Sequence, residues 1–297
     1  MSNQTDSLSS PILSTRNLAH ILGWRRNTLI EIANSASSYY HPFIKLKPKR
    51  REIDNPTGEL KIVQKRIDNR ILKKIQLPDG MVGGVKGKSI LDNAKYHINK
   101  KIVVALDLKK CFPSTHHTNV FAMFRNQLGY GEKSASLMTK LTTYNGYVPQ
   151  GSPCSSSLIN LCLLPLFYEL KSLADKNKLT ISQWVDDVTI SGINPECYII
   201  EFLKLIKARG YACKAQKIKV KKANKRQEVT GLGVNKKPSV ADRVQDIRKM
   251  ILGTRGLKNE NLEQQKLVIN GKMQFVRSID RVKYEKLIIF ANKVFGE

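Results

Sequence analysis

The most restrictive feature of this sequence is a pair of strand-like segments that carry aspartate. The run KIVVALDL (101–108) is apolar and rich in β-branched residues, as in a buried strand, and ends next to Asp107. ISQWVDDVTISG (181–192) has the pattern of two strands folded about Asp186 and Asp187. The sequence therefore predicts a sheet that carries carboxylates at its centre.

Carboxylates in this arrangement are suited to hold divalent metal ions. Mg²⁺ prefers hard oxygen ligands, takes few of them from the protein and takes the rest from phosphates and water. Two such ions can activate an attacking 3′-hydroxyl and stabilise a leaving pyrophosphate oxygen. We expect Asp107 and Asp186 to bridge two Mg²⁺ ions, with Mn²⁺ as a substitute, and Asp187 to contribute at the edge. Either element alone is also typical of a solvated turn.

The surrounding sequence has an α+β pattern. Apolar spacing predicts helices over 14–34, 59–77 and 155–170, and two or three more helices after residue 240. The basic segment 45–51, followed by Pro and Gly, predicts a β-ribbon with a turn. KIKVK and VTGLGVN each have the pattern of a strand.

The charge of the chain indicates a polyanionic partner. Its 297 residues include 51 Lys and Arg against 24 Asp and Glu, and the net charge of +27 is far more than solubility needs. Because 41% of the residues are apolar, the chain can bury a core, which excludes a basic disordered tail. The five cysteines form no CxxC pair, which argues against zinc and favours a reducing cytosol.

No segment is typical of export or of a membrane span. The N-terminal MSNQTDSLSS lacks the basic and apolar regions of a secretory signal. The longest apolar stretch, 158–167, is too short for a span and contains Pro165. GGVKGKS (83–89) suggests a P-loop, but that motif would need glycine at Val82. We expect a cytoplasmic protein without membrane contact.

Several motifs, in this order and at these separations, resemble those of reverse transcriptases. The palm motifs of that family resemble LDLKKCFPS, PQGSPCSSSLINL and WVDDVTIS, and its finger motifs resemble KRREIDNP, LKIVQKRI and GVKGKSILDNA. The resemblance covers residues 40–240. Trp184 stands where the family usually has Tyr, Gly84 where Phe is common, and Cys111 replaces an aromatic residue. None of these departures removes a carboxylate.

The resemblance implies an α+β right-hand polymerase with fingers, an RRM-like βαββαβ palm and a helical thumb. We expect N-terminal helices and fingers over 1–100, the palm over 101–239 with a fingers insertion at about 116–148, and the thumb over 240–297. The implied activity is that of an RNA-directed DNA polymerase. Its ligands would be dNTPs, a structured RNA and the growing RNA/DNA hybrid.

Two shorter signatures resemble those of the bacterial retron branch. These are NAKYH (93–97) and VTG (229–231). The branch implies a dedicated structured noncoding RNA of the msr–msd type as template. It further implies synthesis from a guanosine 2′-OH, RNA-linked single-stranded DNA (msDNA) as product, and antiphage defence with a separately encoded effector protein.

The resemblance also assigns residues to dNTP binding. Phe112 would exclude a ribose 2′-OH, although it could equally belong to the core. Gln150 and Gly151 would lie against the nucleotide, or form an ordinary helix start. Arg51 and Lys49 would grip the triphosphate, or belong to a solvated basic ribbon.

Lys217 matches the lysine that could protonate departing pyrophosphate, although it lies among other cations that suggest a phosphate-tracking face.

The remaining expected contacts are with RNA or primer. Asn93 and His97 share a helical face and could contact RNA, although such a histidine is also typical of a structural role. Trp184 could pack under the primer end. The glycine of the VTG signature suggests the close approach of a nucleic-acid strand, or only a bulge. Val229, Thr230 and Gly231 are therefore also expected RNA or primer contacts.

Three alternatives stay open at this point. One is another bacterial reverse transcriptase, of a defence-associated or diversity-generating type. Another is a catalytically silent RNA-binding relative, against which Asp107, Asp186 and Asp187 argue. The third is a fragment of a group II intron maturase.

Overall fold

The structure is a computed structural model that describes residues 10–46, 50–256 and 259–296. Its strands are β1 (Tyr40–Lys45), β2 (Arg51–Pro56), β3 (Ile102–Asp107), β4 (Thr180–Trp184), β5 (Asp187–Gly192), β6 (Lys219–Lys222), β7 (Glu228–Val229) and β8 (Leu232–Gly233). Its α-helices are α1 (Thr15–Leu22), α2 (Arg26–Asn34), α3 (Gly58–Arg70), α4 (Ile90–Lys95), α5 (Cys111–Ser114), α6 (His117–Ala122), α7 (Glu132–Thr142), α8 (Ser155–Lys176), α9 (Ile199–Ala208), α10 (Ala241–Leu252), α11 (Asn259–Arg277) and α12 (Arg281–Phe295).

Four strands form the palm sheet, in the order β4-β5-β3-β6, and every neighbouring pair is antiparallel. Helix α8 lies between β3 and β4 in the chain, and α9 lies between β5 and β6. The chain order is therefore βαββαβ, and the predicted RRM-like core is confirmed.

The two faces of the palm sheet differ in chemistry because side chains alternate along each strand. Val104 and Leu106 of β3 lie in the same hydrophobic core as the buried residues of α8 and α9. The opposite face carries Asp107 and Asp187 at one end and hydroxyl side chains behind them. We call this opposite side the polar face; its hydroxyl residues are Ser182, Thr189 and Ser191.

Helix α8 is the apolar support of the sheet. It begins at Ser155 and includes Pro165, as predicted, but it ends at Lys176 rather than near residue 170. Within the described part of the chain it is the one helix long and apolar enough to cross a membrane, yet 61% of its apolar window is buried inside the protein. Its composition is therefore that of a core helix.

The predicted N-terminal helix is two helices, because Gly23 adopts a φ of 68° and ends α1. Two arginines of α3 contact this end of α1. In the structure the Arg66 guanidinium donates to the Leu22 and Gly23 carbonyls, at 2.9 and 2.8 Å. Arg70 donates to the Ile21 carbonyl at 2.9 Å. Both arginines therefore hold α1 by its carboxyl end.

The fingers and thumb have their own packing. The predicted ribbon is the antiparallel pair β1–β2, and α7 of the insertion packs against α1 and α3. Helices α10, α11 and α12 share a second hydrophobic core. The predicted VTG strand is instead the short hairpin β7–β8, because Thr230 and Gly231 turn the chain with φ of 47° and 81°.

Residues 80–83 extend the palm sheet beyond β4. The Gln183 amide donates to the Gly80 carbonyl at 2.7 Å, and the Val82 amide donates to the Gln183 carbonyl at 2.9 Å. Gly83 lies so close to the next turn that a Cβ there would be 2.5 Å from the Val185 nitrogen. Only glycine fits this contact without moving the main chain.

We predict that Gly83→Ala lowers the free energy of unfolding by about 1–3 kcal/mol, because the new methyl group meets backbone rather than a movable side chain. Gly271→Ala is the matched control. Gly271 is helical and a Cβ there meets nothing within 4 Å, so this variant should gain about 0.5–1 kcal/mol. Urea unfolding measures both values, and a Gly83→Ala protein as stable as the wild type would contradict the contact.

Candidate active site

The palm sheet brings the three predicted aspartates to one end. Asp107 is the last residue of β3 and lies directly opposite Asp187, the first residue of β5. The Leu108 amide donates to the Asp186 carbonyl at 2.9 Å. Because these contacts involve the main chain, strand pairing alone places the three carboxylates together.

Asp186 lies in a two-residue turn that is held in an uncommon conformation. Trp184 pairs with Asp187, so the turn consists of Val185 and Asp186. Val185 has a φ of 56°, which a β-branched residue rarely adopts and which costs on the order of 1–3 kcal/mol. The Gln183 side-chain amide donates to the Val185 carbonyl at 2.8 Å and supports the turn. Strain of this kind is typical of functional turns.

A lysine that the sequence pattern did not single out contacts the aspartate cluster. The Lys214 ammonium lies 3.1 Å from Asp107 Oδ1, and the Lys214 amide donates to the Asp107 carbonyl at 3.2 Å. The pair is held by the bridge between Leu108 and Cys213. A cation at Asp107 offsets the repulsion between neighbouring carboxylates.

The carboxylates fit a divalent ion that completes its shell from other sources. Nowhere in the described ranges do three His, Cys, Asp or Glu side chains form a group that could hold a metal by themselves. Mg²⁺ normally keeps waters and substrate phosphates as ligands, so an open set of carboxylates suits it. The Lys214 ammonium marks the position as one that accepts positive charge.

Two thiols lie beside the aspartates and are not nucleophiles. Burial raises the pKa of Cys111, and the negative charge of Asp186 raises it further. Burial raises the pKa of Cys213 to about 11, with a further contribution from Asp107. Both groups therefore remain neutral thiols near pH 7.

Gln150 and Gly151 join the fingers ribbon to the palm. The Asp54 amide donates to the Gln150 carbonyl at 2.9 Å, and the Gln150 amide donates to Asp54 Oδ2 at 3.2 Å. Gly151 has a φ of 139°, and a Cβ on it would lie 2.8 Å from Ile53 Cγ2. The described contacts of this loop are thus with strand β2.

The other residues expected at the nucleotide lie around this centre. Phe112 is half-buried against the hydrophobic core, and Arg51 is exposed at the start of β2. Lys49 lies outside the described residues. Lys217 ends a short 3₁₀ turn before β6, and its side chain lies outside the description. Trp184 is half-buried at the end of β4.

Comparison with known proteins identifies the family of this site. The family model described as reverse transcriptase (RNA-dependent DNA polymerase) matches residues 44–236, which include all three aspartates. The chain belongs to the reverse transcriptase family. The right-hand polymerase fold expected from the sequence is therefore confirmed.

Curated relatives of this reverse transcriptase come from retrons. The retron Se72 reverse transcriptase of Salmonella heidelberg is 33% identical over 185 residues, which cover 61% of this chain and 49% of that protein. The retron Ec86 reverse transcriptase of Escherichia coli is 29% identical over 251 residues, which cover 83% of this chain and 77% of that protein. The chain thus spans about half of the first relative and about three quarters of the second. The expected retron resemblance is confirmed.

Among solved structures, telomerase from Candida albicans in complex with a fragment of telomeric RNA aligns over 88% of this chain and 60% of its own. The TM-score is 0.48 and the sequence identity is 12%. This likeness is too weak to add to the family assignment.

The first retron signature is buried, which corrects the expected RNA contact. His97 is 0% exposed and Asn93 is 1% exposed. The two ring nitrogens of His97 lie 2.7 Å from the hydroxyls of Ser191 and Ser182. Neither side chain reaches the surface, so the structure assigns them to packing between α4 and the palm sheet.

The second signature is also only partly accessible. Val229 is buried in the thumb core, so the expected RNA contact through its side chain is wrong. Thr230 and Gly231 are half-buried at the turn of the β7–β8 hairpin, and the Thr230 hydroxyl donates to the Ile90 carbonyl at 3.4 Å. Gly231 lies under Arg243, and a Cβ there would be 2.6 Å from the guanidinium.

We predict that Lys214→Met tightens Mn²⁺ binding by the protein, free of nucleic acid, by about two- to fivefold. The ammonium competes with the metal for Asp107, and its partial exposure keeps the effect small. Lys171→Met is the matched control, since it removes a similar ion pair with Asp175 on α8. Mn²⁺ titration followed by electron paramagnetic resonance measures the affinity. Equal affinity in wild type and Lys214→Met would contradict the competition.

Proposed function

We propose that this chain is an RNA-directed DNA polymerase of the retron type. It copies a dedicated structured noncoding RNA into RNA-linked single-stranded DNA. The observation that carries the proposal is the pairing of Asp107 with Asp187 beside the strained turn of Asp186, inside the region that matches the family model. The retron relatives support the choice of template and product.

Asp107 and Asp186 would hold two Mg²⁺ ions, and Asp187 would contribute at the edge. When bound, the ions supply Lewis acidity for the attacking hydroxyl and for the leaving pyrophosphate. Mn²⁺ can take the same ligands. The residues of the site orient the hydroxyl and the nucleotide so that reaction follows from proximity.

The dNTP would lie between the palm and the fingers ribbon. Gln150 and Gly151 would border that space, because both contact β2. Arg51 is the first residue of that strand. Arg51 and Lys49 would hold the triphosphate, and Lys217 would protonate pyrophosphate. Phe112, five residues after Asp107, would select deoxyribose by excluding a 2′-OH.

The part of the polar face that β6 contributes suits a nucleic-acid strand. Lys219 pairs with Ala105 and Lys221 pairs with Val103, so alternation places both lysines on the face that carries Asp107. Both are exposed. Cations beside a carboxylate end would bind backbone phosphates and lead the primer terminus to the aspartates. Trp184, Thr230 and Gly231 remain the proposed primer or RNA contacts.

The cellular setting follows from the retron proposal. The division into N-terminal helices and fingers (1–100), palm (101–239) and thumb (240–297) is part of the same proposal, with residues 116–148 as the fingers insertion. Synthesis would start from a guanosine 2′-OH in the cognate RNA, in the cytoplasm. The msDNA would act in antiphage defence with a separately encoded effector protein.

The deciding experiment expresses the chain with its flanking genomic segment and examines the nucleic acid that copurifies. Wild type should yield single-stranded DNA linked to RNA. Asp186→Asn should lower the DNA yield at least about 100-fold, because it removes a metal-ligand charge worth several kcal/mol to the transition state, while RNA still copurifies. Asp175→Asn, an exposed site on α8, is the matched control and should match wild type.

The other outcomes separate the parts of the proposal. RNA alone, with primer extension on an added template, would keep the polymerase and reject the retron product. RNA alone without any dNTP incorporation would leave an RNA-binding relative. Full synthesis by Asp186→Asn would reject the metal assignment.

A further inference from the structure

We propose that Asn93 and His97 are positioning residues for the aspartate hairpin, defined as residues 180–192. Together with Ser182 and Ser191 they form a directional hydrogen-bond chain that fixes both strands of the hairpin to α4 and to the turn after it, which contains His97. The inference rests on the proposed function, because the position of the hairpin matters for the aspartates that it carries.

The His97 ring connects the two strands of the hairpin. Ser182 belongs to β4 and Ser191 belongs to β5, and both side chains lie on the polar face. His97 Nε2 is 2.7 Å from the Ser182 hydroxyl, and Nδ1 is 2.7 Å from the Ser191 hydroxyl. A single ring therefore fixes the separation and the register of the strands from one side of the sheet.

Counting protons gives this chain one direction. The Ser182 hydroxyl donates its only proton to Asn93 Oδ1 at 2.7 Å. It must then accept from His97, so Nε2 carries the ring proton. A neutral imidazole has one donor and one acceptor, so Nδ1 accepts from the Ser191 hydroxyl. Each of the three protons has one acceptor.

The environment keeps the ring neutral, as this direction requires. Burial, with a smaller contribution from the nearby charge of Lys100, lowers the pKa of His97 to about 3. A cationic ring would place an N–H against each serine, and the directional chain would be lost. The arrangement is therefore a fixed structural link and not a proton donor at neutral pH.

The link acts close to the aspartates. Ser182 is two residues before Trp184, which pairs with Asp187, and the strained turn follows at once. Residues 80–83 hold the outer edge of β4, and the contacts of Asn93 and His97 hold the face of the hairpin opposite the helix core. A displacement of about 1 Å at a reacting group can cost about 100-fold in rate.

Helix α4 also joins the hairpin to the base of the thumb. Its Ala94 lies in the thumb core with Val229. The Ile90 carbonyl accepts from Thr230, and the Asn99 amide donates to the Val234 carbonyl at 3.0 Å. The two retron signatures thus form one joint between the thumb and the aspartate hairpin.

The test compares three buried serine variants in the full chain bound to template and primer. Ser182→Ala and Ser191→Ala each break the chain, and Ser134→Ala is the matched control. Ser134 is 0% exposed on α7, and its hydroxyl has no partner in the described residues. We expect kcat to fall at least about 10-fold in both hairpin variants, with the KM for dNTP within about twofold of wild type. Ser134→Ala controls for the loss of a buried hydroxyl, and it should keep wild-type kcat and a Tm no lower than wild type, because it breaks no hydrogen bond.

Two further measurements separate positioning from plain stability. Ser191→Thr keeps the hydroxyl and should restore kcat to within about threefold of wild type. Nitrogen-15 NMR of labelled histidine should show His97 as a neutral Nε2–H ring from pH 5 to 8 in the wild type. If Ser182→Ala does not fold, Ser191→Ala alone tests the proposal, because it leaves the hydrogen bond between His97 and Ser182 in place.

Several results would overturn the proposal. These are a kcat within twofold of wild type in both alanine variants, an equal loss in Ser134→Ala, or a cationic or Nδ1–H ring for His97. A wild type without DNA synthesis would instead reject the proposed function, and the positioning role would fall with it. If the wild type synthesises DNA and both alanine variants do so equally well, only the positioning role is rejected.

Discussion

The antiparallel pairing of β3 with β5 is the constraint on which the rest of this structure depends. It sets Asp107 opposite Asp187 and brings the Asp186 main chain against Leu108. A slip by one residue would turn the side chains of β5 to the opposite face and send Asp187 towards the helices. The buried neighbours Val188 and Ile190 prevent that slip, because their apolar side chains would then face the polar side.

Much of the remaining fold holds this pairing in place from different sides. Helices α8 and α9 cover the apolar face, and residues 80–83 extend the sheet beside β4. Asn93 of α4 and His97 in the turn after it contact the polar face. The turn at Val185 is strained and is kept by these surroundings. Like charges at one sheet end are costly, and Lys214 offsets part of that repulsion until another cation binds.

The central sheet and its aspartates could be predicted because their signals are local. An apolar β-branched run and a hairpin pattern are visible in a few consecutive residues. The strand expected in KIKVK is present for the same reason, although β6 begins only at Lys219. The roles of Arg66, Lys214 and His97 could not be predicted in this way, since each contacts a residue far away in the chain. A basic or polar residue in a periodic pattern looks exposed until its distant partner is known. The VTG segment was misjudged because the positive φ of Thr230 is not encoded by residue type alone.

Locating bound metal is the most direct test of the proposal that the three aspartates hold catalytic metal ions. The measurement is anomalous diffraction from crystals of the chain with template, primer, a non-hydrolysable dNTP analogue and Mn²⁺. We predict Mn²⁺ peaks in contact with carboxylate oxygens of Asp107 and Asp186, with the nucleotide phosphates completing the shell. Mn²⁺ bound only elsewhere, with the Lys214 ammonium still paired to Asp107 in the loaded complex, would contradict it.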